Sequence, residues 1–429
     1  MSNTLTDDPK YGWFCSVLFN MMYSDAEGVW RPCCYAKAGV DEEKTVYDTT
    51  PLDYFFSEDM DRYRKMTLAG EVPPICVKCK EYEDRNTISY RQMKNRHHNV
   101  PALQPMVDKY METGKLEFEG RFLRLKVKIF GNYCNLKCFM CHPKNSSSRQ
   151  TELMKMTKKY EYDFLGKWDQ QYRVDQSFET TLKYDEVIKE IESIAQHIHS
   201  LEIIGGEPLM MKSHYDLLDK LIESGESKNI DLLYVTNLTK LQHGNRNFLH
   251  YVDQFHGSKF VISLDGIEER GSWIRYGLDW KEFLENLDIM IEHGGKFEIA
   301  FTASNLSILY AIEMFEYFMF EKGLKPIMDE NLVTTPRMLN PCHLPDKIKD
   351  KLIREFRAHP YSNEFAGLIE TLKQPRDENL YRLGMKYIKT LNEFRGTNVT
   401  ELFPELKDDI ESAELDFYND PEYYLREMG

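Results

Sequence analysis

The sequence predicts an α/β fold, either a barrel or an open, mostly parallel sheet, and three observations predict it. From about residue 120 to residue 335 short apolar strands alternate with amphipathic helices. Each strand runs into a glycine-rich or polar stretch, read in order as GNYCNLKC, GGEP, TN, SLDG and TASN. After roughly residue 335 the alternation stops and helical periodicity takes over.

The elements follow in order. Leu123, Leu125, Val127 and Ile129 alternate with Arg124, Lys126 and Lys128, which is a strand running straight into a cysteine-rich loop. Val187, Ile191, Ile194, Ala195 and Ile198 recur at helical spacing before LEIIGG, a short apolar strand. A helix carrying Leu217, Leu218, Leu221 and Ile222 leads to DLLYVTN. Then come KFVISLDG, a helix with Phe283, Leu284, Leu287, Met290 and Ile291, and the strand KFEIAFTAS. Such alternation gives parallel βαβ units with right-handed crossovers. In those folds functional residues collect at the C-terminal ends of the strands, and here those ends form one glycine- and polar-rich rim. Read singly, Gly205 and Gly206 fit a tight turn and Asn237 a helix cap; their recurrence on one edge is the signal. The segment from about 143 to 183 is long for a strand-to-helix loop, and reads equally as a lid or as an insertion with local helix. Beyond it, PDKIKDKLIREFRAH and LYRLGMKYIKTLNEFRG read as C-terminal helices, and DDIESAELDFYNDPEYYLREMG as an acidic docked tail.

A chain of 429 residues, 42% of them hydrophobic, can bury one large core or two to three smaller ones. A formal charge of -15 disfavours a sequence-independent grip on a phosphate backbone, so nucleic acid is not an expected partner. Apolar runs of about 18 residues are missing, and MSNTLTDDPKYGW lacks the basic and apolar regions of a secretory signal. No membrane partner is expected, and the cytoplasm is the expected compartment.

Nine cysteines, all but Cys342 in the first third of the chain, are the strongest chemical signal. In a cytosolic protein, clustered cysteines are more often metal or iron–sulfur ligands than disulfides. Cys134, Cys138 and Cys141 stand at C-x3-C-x2-C spacing. Three thiolates can hold three irons of a [4Fe–4S] cube and leave the fourth iron open for chemistry. Structural zinc is the competitor, but it wants four ligands, and His142 is awkwardly adjacent to Cys141. Upstream, Cys15, Cys33, Cys76 and Cys79 make a complete shell for a second cluster or for zinc. Cys34 reads as a packed thiol, and Cys342 as a lone structural one.

CNLKCFMC resembles the signature of the radical SAM superfamily. That resemblance implies that the open iron chelates the amino and carboxylate groups of S-adenosylmethionine, which is split to a 5′-deoxyadenosyl radical. GGEP is similar to the family's turn for the methionine amino group, which carries Gly205, Gly206 and Glu207 over as cofactor contacts. Asn237 in VTN, Ser263 in SLDG, Arg275 in WIRYG and Asn305 in TASN fall where related enzymes contact the ribose or the carboxylate. Met140 stands where an aromatic residue is common and keeps an apolar contact to adenine. Physically, a zwitterionic ligand needs an acceptor for its ammonium and a cation for its carboxylate, which Glu207 and Arg275 could supply.

The spacing C-x12-G-x4-C followed by C-x2-C, from Cys15 through Gly28 and Cys33 to Cys76 and Cys79, resembles the SPASM/twitch auxiliary-cluster module, here ahead of the barrel. The resemblance therefore implies a partial (β/α)6 TIM-like barrel over 116–335, a twitch-like module with one auxiliary [4Fe–4S] cluster over 1–115, and a C-terminal helical region with an acidic tail over 336–429. It implies a flavodoxin- or ferredoxin-type electron donor. Modification of a peptide or protein side chain is the leading reading, with the auxiliary cluster assisting electron transfer. Oxidation or rearrangement of a small molecule such as a sugar or cyclitol is the second, and a non-enzymatic zinc-binding module the third.

Overall fold

The structure, a computed structural model, describes residues 8–413 apart from 26–27, 41–42, 85–87, 99, 119, 129 and 161–183. Its main elements are β1 (Met21–Ser24), β2 (Trp30–Arg31), α1 (Glu58–Leu68), α2 (Val77–Asp84), α3 (Tyr90–His97), β3 (Leu123–Val127), α4 (Ser147–Tyr160), α5 (Tyr184–Ser193) and β4 (Ile198–Ile203). These are followed by α6 (Lys212–Glu223), β5 (Asp231–Thr236), β6 (Gly257–Ser263), α7 (Glu268–Ile274), α8 (Trp280–Glu292), β7 (Lys296–Ala303), β8 (Pro326–Leu332), α9 (Asp346–Ala358) and α10 (Glu378–Arg395). The chain forms two compact units that interleave in sequence.

The first unit gathers Met1–Gly131, Ser177–Tyr234 and Asn245–Ser258. Its strands run in the order β2, β1, β3, β4, β5. Only the β1–β2 pair is antiparallel; Met22 sits beside Leu125, Leu125 beside Leu201, and Leu201 beside Leu232 in parallel register. The alternation read in the sequence settles which face is which. Leu123, Leu125 and Val127 are fully buried, while Arg124 and Lys126 occupy the opposite, half-buried face. On that face the Lys126 ammonium meets the carboxylate of Glu202, its register partner on β4, at 2.5 Å. Helices α5 and α6 bury Val187, Ile188, Ile191, Leu217, Leu218 and Leu221, each such side chain contributing roughly 1.5–3 kcal/mol.

The second unit gathers Asn132–Gln176, Val235–Gly244 and Lys259–Gly429. Here β6, β7 and β8 pair in parallel, with Ile262 beside Ile299 and Ala300 beside Ile327. Helix α8 buries Phe283, Leu287 and Met290, and α10 buries an apolar stripe from Leu380 to Leu391. Asp279 and Asp377 cap these two helices by accepting from backbone N–H groups of their first turns.

The α/β expectation holds, with the strands of each unit largely parallel. Four details differ. The N-terminal segment contributes β1, which joins the parallel sheet beside β3 instead of standing only in a separate module. Ile198 opens β4; the preceding helix stops at Ser193 and a single 3-10 turn intervenes. The segment after residue 143 begins with the four-turn helix α4, whose buried Arg149, Glu152, Leu153 and Met156 give it a packed face. Strand β8, in KPIMDENL, has too little alternation to be read from sequence. Ile129, the stretch 161–183 and most of the acidic tail, 414–429, lie outside the described residues. Among the described residues no helix is long and apolar enough to cross a membrane.

Candidate functional site

The cysteine loop is built by its apolar residues. Leu136 and Phe139, which alternate with the cysteines, are fully buried, and Phe139 packs on Trp273 with ring centroids 5.7 Å apart. The backbone between them is pinned: Lys137 N–H donates to the Tyr276 carbonyl at 2.8 Å and Phe139 N–H to that of Ile274 at 3.0 Å. Helix α4 ties down the rest through its first turn. The Ser146 hydroxyl donates to the Leu136 carbonyl at 2.7 Å, Ser147 N–H donates to the Asn132 carbonyl at 2.8 Å, and the Ser147 hydroxyl accepts from Cys134 N–H at 3.3 Å. All three thiols are free of disulfides.

Two N–H donors face these sulfurs. Asn237 Nδ2 donates to Cys134 Sγ at 3.7 Å, and Arg275 Nη1 to Cys138 Sγ at 3.9 Å. Asn237 is set by a tight turn in which its Oδ1 accepts from Thr239 N–H at 3.0 Å and Leu238 is held at φ 53°. A left-handed leucine costs on the order of 1–3 kcal/mol and marks a turn the surroundings enforce. Burial pushes the Cys138 thiol up and the Arg275 guanidinium opposes that shift. Burial likewise works against the Arg275 charge, but Asp265 and then Cys138 outweigh it, and its pKa stands above the ordinary value.

Asp265, absent from the sequence-derived set, is what holds Arg275. Its Oδ2 lies 2.8 Å from Arg275 Nε, and its Oδ1 accepts from Thr302 N–H at 2.8 Å. The aspartate is fully buried. The SLDG strand end carried this signal, since a carboxylate there needs a cation or backbone donors once buried.

The other expected cofactor contacts are placed as follows. Ser263 is half-buried at the end of β6, and Met140 is half-buried beside Cys141. Asn305 follows β7, is 2% exposed, and has neither side-chain atom hydrogen-bonded. Gly384 of α10 clears space for it: a methyl group there would lie 3.4 Å from Asn305 Nδ2 and 2.5 Å from the Met338 carbonyl oxygen. In the first unit, Gly205 and Gly206 follow β4 with φ of 92° and 51°, and a Cβ on Gly205 would collide with Lys128 Cγ at 2.2 Å. Glu207 is buried and accepts from Leu209 N–H at 3.2 Å. Thus Cys134, Cys138, Asn237 and Arg275 come together in the second unit, whereas Asn305 sits against the 338–339 turn and α10.

The first unit brings the four upstream thiols together. Cys15, Cys33, Cys76 and Cys79 line one narrow cavity of about 20 Å³, with Tyr35, Ile75 and Tyr90 among its walls. Cys34 is not in that lining. Burial pushes Cys15 up to about 12 and also raises Cys33, Cys76 and Cys79. Arg91 also lines the cavity; it forms a two-pronged pair with Glu83 at 2.9 Å for each contact and donates to the Phe14 carbonyl at 2.7 Å. No sequence pattern marks Arg91 or Glu83. Among the described residues, no three His, Cys, Asp or Glu groups stand close enough together to share a single metal ion.

Residues 128–307 match the model of the Radical SAM superfamily. No curated protein matches the chain. Among solved structures, the chain is similar to Streptococcus suis SuiB bound to S-adenosylmethionine, at 16% identity over 58% of this chain and 48% of that one, TM-score 0.30. It is similar to native anSMEcpe with bound AdoMet, at 16% identity over 54% of this chain and 58% of that one, TM-score 0.36. It is also similar to Streptococcus suis SuiB bound to precursor peptide SuiA, at 15% identity over 81% of this chain and 77% of that one, TM-score 0.34. The alignments span about half the length of the first two of these chains. The segment that matches the Radical SAM superfamily holds the C-x3-C-x2-C loop together with Asn237 and Arg275.

Proposed function

We propose that the chain reductively cleaves S-adenosylmethionine and uses the resulting 5′-deoxyadenosyl radical to abstract a hydrogen atom from a peptide or protein side chain. In this reading Cys134, Cys138 and Cys141 hold the [4Fe–4S] cluster of a partial (β/α)6 barrel over 116–335. Cys15, Cys33, Cys76 and Cys79 hold an auxiliary [4Fe–4S] cluster in a twitch-like module over 1–115. The observation that carries it is the existence of two separate thiol sets, one loop of three and one cavity of four.

The cysteine loop supports the first of these assignments. Three free thiols on one loop, with amide and guanidinium donors aimed at two of the sulfurs, suit a cluster whose thiolates carry negative charge. When bound, cluster and S-adenosylmethionine supply the electron and the sulfonium from which the radical comes. The chain's own residues bind and orient. Arg275 offers its guanidinium to the methionine carboxylate while Asp265 fixes the fork. Glu207 accepts from the methionine ammonium, and Gly205 and Gly206 let the backbone approach it. Asn237, Ser263 and Asn305 serve the ribose and carboxylate, and Met140 gives the adenine an apolar contact. The unsatisfied amide of Asn305 supports a ligand there, because a buried amide without a partner costs on the order of 1–3 kcal/mol. An electron donor of flavodoxin or ferredoxin type completes the reading.

The deciding experiment is anaerobic reconstitution followed by iron, sulfide and zinc analysis and a 5′-deoxyadenosine assay. About eight irons per chain, falling to about four in the Cys134, Cys138, Cys141 triple-alanine variant, is the expected result. Zinc in the residual site would remove the electron-transfer role, and no iron in the wild type would sink the radical reading. A mass change in a peptide, rather than in a sugar, decides the substrate class.

A further inference from the structure

Cys15 lies outside every helix and strand, so its position depends on what holds the peptide groups around it. Ahead of it, Trp13 N–H donates to the Thr67 carbonyl of α1 at 2.7 Å; behind it, Leu18 N–H donates to the Cys15 carbonyl at 3.2 Å. The peptide groups on either side of the thiol-bearing carbon are taken by α3, a helix that carries no thiol. Arg91 Nη1 donates to the Phe14 carbonyl at 2.7 Å, and Asn95 Nδ2 donates to the same oxygen at 3.0 Å. Asn95 Oδ1 accepts from Ser16 N–H at 2.8 Å. One amide side chain thus spans Cys15, donating to the peptide before it and accepting from the peptide after it. Near the end of the same helix face, His98 Nδ1 stands 3.4 Å from the Ser16 hydroxyl. Phe14, Ser16 and Asn95 are buried, so any of these bonds that is lost leaves a backbone group cut off from water.

Arg91 carries the connection to a second thiol. Glu83, its two-pronged partner, stands four residues after Cys79 on α2, one turn along the same face. Glu83 Oε2 also accepts from Trp13 Nε1 at 2.8 Å, and the Arg91 guanidinium lies over the Trp13 ring, 4.5 Å from its centroid. Trp13, Glu83 and Arg91 therefore join the Cys15 segment to the Cys79 helix through side chains. Between Cys33 and Cys76 the join is backbone: Lys37 N–H, in the turn after Cys33, donates to the carbonyl of Ile75 at 2.8 Å. A shell drawn from separated segments holds its metal well when supporting hydrogen bonds fix the ligands beforehand.

We propose that Arg91 and Asn95 are positioning residues of the four-thiol site and set how long it retains its metal group. The proposal rests on the reading of Cys15, Cys33, Cys76 and Cys79 as one ligand shell. Asn95 fixes the backbone on both sides of Cys15, and Arg91 keeps that backbone in register with the helix of Cys79. Both act through the peptide groups and the carboxylate beside the ligands.

The test uses the full chain in the Cys134, Cys138, Cys141 triple-alanine background, loaded anaerobically with iron and sulfide or with zinc. The rate at which a chelator strips the residual metal is measured beside the unfolding midpoint of the metal-free protein. N95A and R91Q are expected to lose metal about tenfold faster. R91K keeps the charge but loses the fork on Glu83, and its rate should fall between R91Q and the parent. D108A is the structural control, because Asp108 accepts from the Tyr11 hydroxyl at 2.7 Å, four residues before Cys15 and outside the cavity lining. It is expected to lower the midpoint and leave retention unchanged. If N95A does not fold, R91Q and R91K decide. Parental retention in every folded variant, or retention that merely follows the midpoint as in D108A, would overturn the proposal. A triple-alanine chain that holds neither iron nor zinc would overturn both the proposal and the reading beneath it.

Discussion

Asp265 and Arg275 form a buried ion pair in which a fully enclosed carboxylate grips the guanidinium that faces Cys138. The carboxylate ends one strand and also accepts from the backbone of the next, at Thr302. The pair therefore ties a ligand-facing cation to the sheet. Removing the carboxylate in D265A leaves Arg275 charged and alone, at a cost of about 3–5 kcal/mol. D265N keeps the acceptor for Thr302 and loses only the charge. Thermal unfolding should rank wild type above D265N above D265A, and the affinity for S-adenosylmethionine, measured by calorimetry, should fall in both variants.

Adjacent thiols separate two roles. Cys33 lines the four-thiol cavity and Cys34 does not. C33A is expected to lose most of the iron bound by the first unit, and C34A to keep it. Iron and sulfide analysis in the triple-alanine background of Cys134, Cys138 and Cys141 reads this directly. Equal losses in the two variants would refute the assignment.

Gly384 is a clearance position. Its φ is unexceptional for a helix, yet a methyl group would press on the Met338 carbonyl oxygen at 2.5 Å. G384A should lower stability to denaturant by about 1–3 kcal/mol, although alanine normally gains roughly 1 kcal/mol over glycine in a helix. A stabilised G384A would show that the helix can shift freely away from the 338–339 turn.

Acid sensitivity follows from Glu152. Burial acts to raise its pKa, but hydrogen bonds from Arg395 and the charges of Arg149 and Arg395 outweigh it, leaving it below the ordinary value. The unfolded chain thus binds the proton first as the pH falls. Its stabilising contribution is complete above the ordinary carboxylate range and is lost as the pH drops below about 4.5. Unfolding midpoints of wild type and E152Q should diverge at neutral pH and converge as the pH falls below the ordinary carboxylate range.

What the sequence revealed tracks how local each signal is. Strand alternation at Leu123, Leu125 and Val127, and helical stripes such as Leu217, Leu218 and Leu221, are decided by near neighbours, and they matched the structure. Cys15, Cys33, Cys76 and Cys79 could be grouped because thiols are rare and their spacing is informative. Asp265, Arg91 and Glu83 escaped notice because charged residues are common and their burial depends on distant packing. Arg395 lies 258 positions from the carbonyl it binds, a separation that no periodicity spans. Strand β1 was missed for the same reason, since its partner is supplied much later in the chain.

That late partner has a consequence for how the protein comes into being. Met21 pairs with Arg124, so the first strand to leave the ribosome waits for roughly a hundred further residues before its neighbour is made. Until then its backbone donors and acceptors stay open, and the thiols between the two strands emerge with no fold to shelter them. Trimming the N-terminal segment would strip β3 of one side and leave a bare strand edge prone to pairing with other chains. Expression trials that start near residue 116 should therefore give aggregates, whereas slowing translation before β3 should raise the demand for chaperones that hold extended chain.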